Sequence, residues 1–222
     1  MFSFLLNSCD SLFYYPSKKI DITPAELGFK YDDLKIKTQD HETLNAWHIK
    51  SGIKRLGTII HFHGNAHNMS SHVRFVSWLV PFGFDVISFD YRGYGRSTGT
   101  PTRKGLYIDA VTILEHFKDV DELFVIGQSL GGAVSIPAIA KVQPKHLKAV
   151  IIDSSFSSYR GIFAKKAEQI LFFSPIATLL SYLVGDDYNP LEYAEKIIQP
   201  TLLLHGDKDR VVPYSESQEL QK

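Results

Sequence analysis

Between Phe124 and Gly132 the chain reads FVIGQSLGG, an apolar β-rich run that passes through a serine directly into a helix-compatible stretch, GGAVSIPAIAKV. This transition constrains the fold more tightly than any other feature. A strand can run into a helix without a loop only if the turning residues tolerate a crowded backbone, and Gly127, Gly131 and Gly132 bracket Ser129 for that purpose. The same alternation recurs along the chain. GTIIHFHG (Gly57–Gly64), FDVISFD (Phe84–Asp90), ELFVIG, LKAVIID and TLLLHGDKD read as strands. SSHVRFVSWLVPFG (Ser70–Gly83) reads as a helix with Val73, Val76, Trp78 and Leu79 on its apolar side, and Gly83 stops it. GLYIDAVTILEHF (Gly105–Phe117) is a further helix carrying Leu106, Val111, Leu114 and Phe117. LKIKTQDHETLNAWHIK (Leu34–Lys50) alternates about Asp40-His41 as a hairpin does. Strands alternating with helices imply an α/β fold, a mostly parallel sheet with helices on both faces.

Composition bounds the function only loosely. A length of 222 residues suits one α/β domain, with 44% hydrophobic and 22% charged residues. Lysine plus arginine and aspartate plus glutamate both total 24, so no global field favours nucleic acid as a partner. The single cysteine, Cys9, excludes an internal disulfide. It follows the apolar start MFSFLLNS, and two readings stand side by side. Residues 1–15 are either the remnant of a signal with a lipidated Cys9, giving a membrane-anchored protein, or an apolar start packed on a cytoplasmic domain of residues 16–222. A second apolar stretch, Ile170–Val184, falls in an insertion of about 155–198 and is too short, with Pro175 inside it, to span a bilayer. It reads as a lid of two short helices over an acyl-chain pocket, or as ordinary core.

Four strand ends carry the chemistry. Ser129, thrust out by Gly-x-Ser-x-Gly, is the candidate nucleophile. A tetrahedral oxyanion needs two preorganised N–H donors, and the amides of Leu130 and of Asn65, in HFHGNAHN, are the candidates. In HGDKDRVVP, Asp207 and Asp209 compete to orient an imidazole, and Asp153 is a weaker candidate at the end of AVIID. His61, His63 and His67 form an H-x-H-x3-H cluster, but Asn65 and Ala66 break the H-x-H-x-D-H arrangement of a metal hydrolase. RGYGRSTG is out of register with a dinucleotide fingerprint. Neither a metal nor a cofactor is expected.

Taken together, YYPS, HFHGNAHN, FDYRGYGRSTG, GQSLGG and HGDKDRVVP resemble the α/β-hydrolases. More narrowly they resemble the branch of depalmitoylating and membrane-associated α/β-hydrolase-domain proteins and their bacterial relatives, some of them lipoproteins. The resemblance runs from about Tyr14 to Pro213. It implies that Ser129 is the nucleophile, that Asp209 in Gly-x-x-Asp-x-Val is the acid with Asp207 its neighbour, and that FDYRGYGRS is a structural loop beside the site. It places the catalytic histidine one helix and one strand beyond Asp209, yet Arg210–Lys222 contains no histidine. The domain is therefore expected to be C-terminally incomplete and, as these 222 residues, close to inactive, with His67 and His205 as weak substitutes. The expected function is a serine hydrolase of carboxylic esters or thioesters, its substrate a small molecule or an acylated ester. The alternatives are a non-catalytic binding protein on the same fold and, behind it, a peptidase or amidase. Oligomeric state is left open.

Overall fold

The computed structural model describes residues 13–171, 181 and 185–221. Cys9 and most of Ile170–Val184 lie outside the described residues. In chain order the strands are β1 (Tyr15–Pro16), β2 (Tyr31–Lys37), β3 (Thr43–Ile49), β4 (Gly57–Phe62), β5 (Ala66–His67), β6 (Phe84–Phe89), β7 (Leu123–Gln128), β8 (Leu147–Asp153) and β9 (Thr201–Leu204). The α-helices are α1 (Met69–His72), α2 (Arg74–Ser77), α3 (Arg103–Phe117), α4 (Leu130–Val142), α5 (Tyr159–Leu171), α6 (Pro190–Ala194) and α7 (Ser215–Leu220). β2 to β4 and β6 to β9 form one seven-stranded sheet in the order β2-β3-β6-β4-β7-β8-β9. β2 and β3 are the hairpin expected around Asp40-His41 and run antiparallel, and the five strands from β6 to β9 in that order are parallel. β1 and β5 make a separate two-residue parallel ribbon.

Alternation along each strand divides the core into two layers. Ile60, Phe62, Ile87 and Phe89 face the helices α3 and α4, meeting Leu106, Ile113, Ala133 and Ile136. Ile59, Val86 and Ile126 face the other way, onto Met69, Val73, Val76 and Val80. Burial of both faces explains why β4 is buried at every position rather than at alternate ones.

Residues 70–83 depart from the single helix expected. They form α1, α2 and a 3-10 turn, Val80–Phe82, before Gly83 at φ 95°. Pro81, with no N–H and a fixed φ, cannot extend an α-helix from the preceding turns. Irregular winding moves Trp78 off the buried face, where it is 60% exposed with its Nε1–H donated to the Phe75 carbonyl. Among the described residues no helix is long and apolar enough to cross a membrane.

Candidate active site

The chain leaves β4 for β6 on one side of it and continues from β7 to β8 on the other. The carboxyl ends of β4 and β7, adjacent strands, therefore flank the point where the winding reverses, the crevice in which open α/β sheets bind ligands. Ser129 follows β7 and His63-Gly64-Asn65 follows β4.

Ser129 sits at φ 51°, ψ −116°, a conformation that non-glycine residues rarely adopt. Its surroundings enforce the turn. A Cβ on Gly131 would lie 1.9 Å from the Phe62 carbonyl oxygen, one on Gly127 2.6 Å from Gly132 Cα, and one on Gly132 2.6 Å from Ser155 Cβ. Only hydrogen fits at all three positions, so α4 starts hard against the end of β4. The Ser129 amide donates to the Asp153 carbonyl (2.8 Å), and its own carbonyl accepts from the Gly132 amide (3.0 Å). Leu130 is the first residue of α4, so its amide has no acceptor within the helix and is free to serve a ligand.

The turn after β4 comes close to this elbow. A Cβ built on Gly64 would stand 3.8 Å from Ser129 Cβ and 3.2 Å from the His72 ring. The turn's carbonyls are occupied: His63 Nδ1–H donates to the Gly64 oxygen (2.7 Å) and Tyr91 O–H to the His63 oxygen (3.2 Å). His72, which sequence reasoning passed over, bridges the two loops. Its Nδ1 lies 3.0 Å from the Gln128 side-chain amide and its Nε2–H donates to the Ala66 carbonyl (2.8 Å). Nothing in its local pattern marks it, because its partners come from β5 and β7.

Beneath the turn lies a buried aromatic and polar floor. His63 packs against His72, Tyr91 and Tyr94 at ring separations of 5.3, 4.6 and 5.5 Å. Burial holds His61 down to about 3 and His63 well below the ordinary imidazole value, so both are neutral at pH 7. Burial likewise pushes the Asp90 carboxyl up to about 6, against hydrogen bonds from the Met69 and Arg96 amides. The FDYRGYGRS loop, expected beside the site, supplies Asp90, Tyr91 and Tyr94 to this floor. It is tied down by Arg92, which donates to both carboxylate oxygens of Asp40 and to buried Asp109.

The remaining candidates are distributed as follows. Asp209 lies beyond β9, two strands from β7, at the same end of the sheet as Ser129. Its Oδ1 accepts from the Val211 and Val212 amides (2.7 and 3.0 Å), while Oδ2 is 3.7 Å from His205 Nε2. His205 is engaged at both nitrogens: Nε2–H donates to the Val212 carbonyl (2.8 Å) and Nδ1 accepts from the Ser217 hydroxyl (2.5 Å). Asp207 is exposed. Asp153 meets Ser129 through its backbone, and its carboxylate accepts from the Ser154 hydroxyl (3.0 Å). His67 is exposed at φ 64° and pairs with Pro16 through its backbone. Among the described residues no histidine nitrogen is hydrogen-bonded to the Ser129 hydroxyl. Among the same residues no three histidine, cysteine, aspartate or glutamate side chains are grouped to hold a metal ion.

A serine elbow at the switch point of a mostly parallel sheet, faced by a glycine turn, defines the α/β-hydrolase class. Residues 54–186 match the family described as Serine aminopeptidase, S33, and the chain belongs to this family of α/β-hydrolases. The uncharacterized protein YfhR of Escherichia coli (strain K12) is 37% identical over 223 residues, covering 95% of this chain and 73% of that protein. The α/β-hydrolase domain-containing protein WAV2 of Arabidopsis thaliana is 31% identical, with 92% of this chain and 71% of that protein covered. Among solved structures, an esterase of Pyrococcus furiosus superposes with a TM-score of 0.75 at 25% identity, covering 94% of this chain and 82% of the esterase. Family and fold make the chain a hydrolase by class, one that acts on small-molecule substrates.

Proposed function

We propose that this hydrolase cleaves carboxylic esters or thioesters through an acyl-enzyme on Ser129. The observation that carries the reading is the strained Ser129 turn, faced across the strand-end crevice by the Gly64 turn, where an added Cβ would stand 3.8 Å from Ser129 Cβ. Ser129 Oγ attacks the carbonyl carbon as its proton passes to a histidine, the base that the resemblance places one helix and one strand beyond Asp209. The amides of Leu130 and Asn65 hold the resulting oxyanion. Collapse expels an alcohol or thiol, which takes that proton, and water then releases the acid and restores Ser129. Asp209 is the acid that orients the proton acceptor, its Oδ2 being the oxygen not committed to backbone amides. Structural likeness to an esterase favours oxygen over nitrogen leaving groups.

A second reading, a non-catalytic binding protein on the same fold, draws on the engagement of His72 and His205 with partners other than Ser129. The two are separated by exposing the chain to a fluorophosphonate probe beside Ser129→Ala and measuring intact mass. An adduct on the parent that Ser129→Ala lacks upholds the reading and requires a base within residues 1–222 that activates Ser129. No adduct on either protein means that residues 1–222 hold no base for Ser129, as the missing histidine predicts, and favours the binding reading for these residues alone. Comparison of p-nitrophenyl esters with the corresponding anilides then tests the leaving-group preference.

A further inference from the structure

The side chain of Asn65 is held at both polar atoms by residues far away in sequence. Its Oδ1 accepts from the Tyr94 hydroxyl (2.9 Å) and from the Tyr15 amide (3.2 Å), and its Nδ2–H donates to the Phe13 carbonyl. The ribbon of β1 and β5 continues the grip, pairing Tyr15 with Ala66 and Pro16 with His67, and the Ser17 amide donates to the His67 carbonyl (2.8 Å). The N-terminal strand thus runs along the turn that faces Ser129.

We propose that Tyr94 is a positioning residue for the oxyanion loop: with strand β1 it clamps the Asn65 side chain so that the Asn65 amide stays turned toward Ser129. The inference rests on the reading of that amide as an oxyanion donor. A peptide unit is planar and trans, so its N–H and C=O point in opposite directions. His63 Nδ1–H holds the Gly64 carbonyl inward (2.7 Å), which aims the Asn65 N–H away from the buried floor. That restraint grips one end of the Gly64–Asn65 unit, and the clamp grips the other by fixing the Asn65 side chain. Tyr94 suits this role because it is fully buried, and burial raises its hydroxyl well above the ordinary phenol range, so it stays a donor. Its ring is anchored against Tyr91 and His63, so the hydroxyl is delivered from a rigid base. The strap also extends beyond the loop, because Phe13 packs on Phe163 of α5 at 5.6 Å. A donor out of place by a fraction of an ångström binds the oxyanion poorly while leaving ground-state binding intact.

The test is fluorophosphonate inactivation kinetics of the parent chain and Tyr94→Phe, paired with hydrogen exchange of both proteins. Loss of one hydroxyl is expected to lower kinact about tenfold, less than outright removal of an oxyanion donor, with KI unchanged. Exchange is expected to rise in peptides covering residues 13–17 and 63–67 and to stay constant in β7 and β8. A kinact and an exchange pattern equal to the parent's overturn the inference. So does slowed labelling accompanied by faster exchange throughout the sheet, which marks general destabilisation. If the parent itself is not labelled, residues 1–222 lack the base for Ser129, and exchange alone decides: a rise confined to the two segments upholds the clamp, and no rise overturns it.

Discussion

Ser129 joins the demands of stability and chemistry at one position. A non-glycine residue at φ 51°, ψ −116° carries strain of about 1–3 kcal/mol, sustained because α4, β4 and β8 leave the chain no other path. Ser129→Gly is therefore expected to be more stable than Ser129→Ala by about 1 kcal/mol, read as a higher urea midpoint at equal slope. Equal midpoints would mean that the elbow is not strained. Much of this residue's setting was legible in advance, since Gly-x-Ser-x-Gly between a β-rich run and a helical run states both the turn and its steric requirement. The partners of Asn65 were not. The sequence suggested a backbone amide in a Gly/Asn turn, and nothing near position 65 announces Phe13, Tyr15 or Tyr94.

At the level of elements, the loop after β6 depends on an ion cluster that ties three separate pieces together. Arg92 reaches Asp40 in the β2–β3 turn (2.7 Å) and Asp109 in α3 (2.8 Å), and its amide also donates to Asp109 (2.8 Å). Hydrogen bonds from the Arg92 guanidinium hold the Asp40 carboxyl down to about 2. Arg92→Met would leave Asp109, which is fully buried, without a counter-charge, and is expected to cost about 3 kcal/mol or more in a urea titration. Asp40→Asn, at the exposed arm, is expected to cost less than half as much. A loss of similar size in both would show that Asp109 is not the member that needs Arg92. The hairpin, the strands of the seven-stranded sheet and helices α3 and α4 followed from periodicity, whereas residues 70–83 did not. There the 3.6-residue pattern was real for Val73 and Val76, but Pro81 broke the winding and left Trp78 outside.

For the whole molecule, the exposed margin of the sheet is the feature with consequences in solution. Among the described residues β9 pairs only with β8, and Leu202 and Leu204 are 52% and 45% exposed, with Ile198 89% exposed just before the strand. Unpaired edges bearing apolar side chains invite pairing with another chain, and balanced charge offers little repulsion against it. Sedimentation velocity is expected to show concentration-dependent association that Leu202→Lys weakens. A single monomer boundary at every concentration would count against this.

The division between what the amino-acid order determined and what folding decided follows the range of the forces involved. Strand and helix periods, glycine sterics and the serine turn are local, so they specified an α/β sheet and its nucleophile candidate within short stretches of chain. The placement of the Gly64 turn against Ser129, the bridging by His72 to Gln128, and the clamp on Asn65 join residues 29 to 65 positions apart. Such partners are chosen by which strands the sheet sets side by side and which polar groups burial then forces to pair, and no local pattern records that choice.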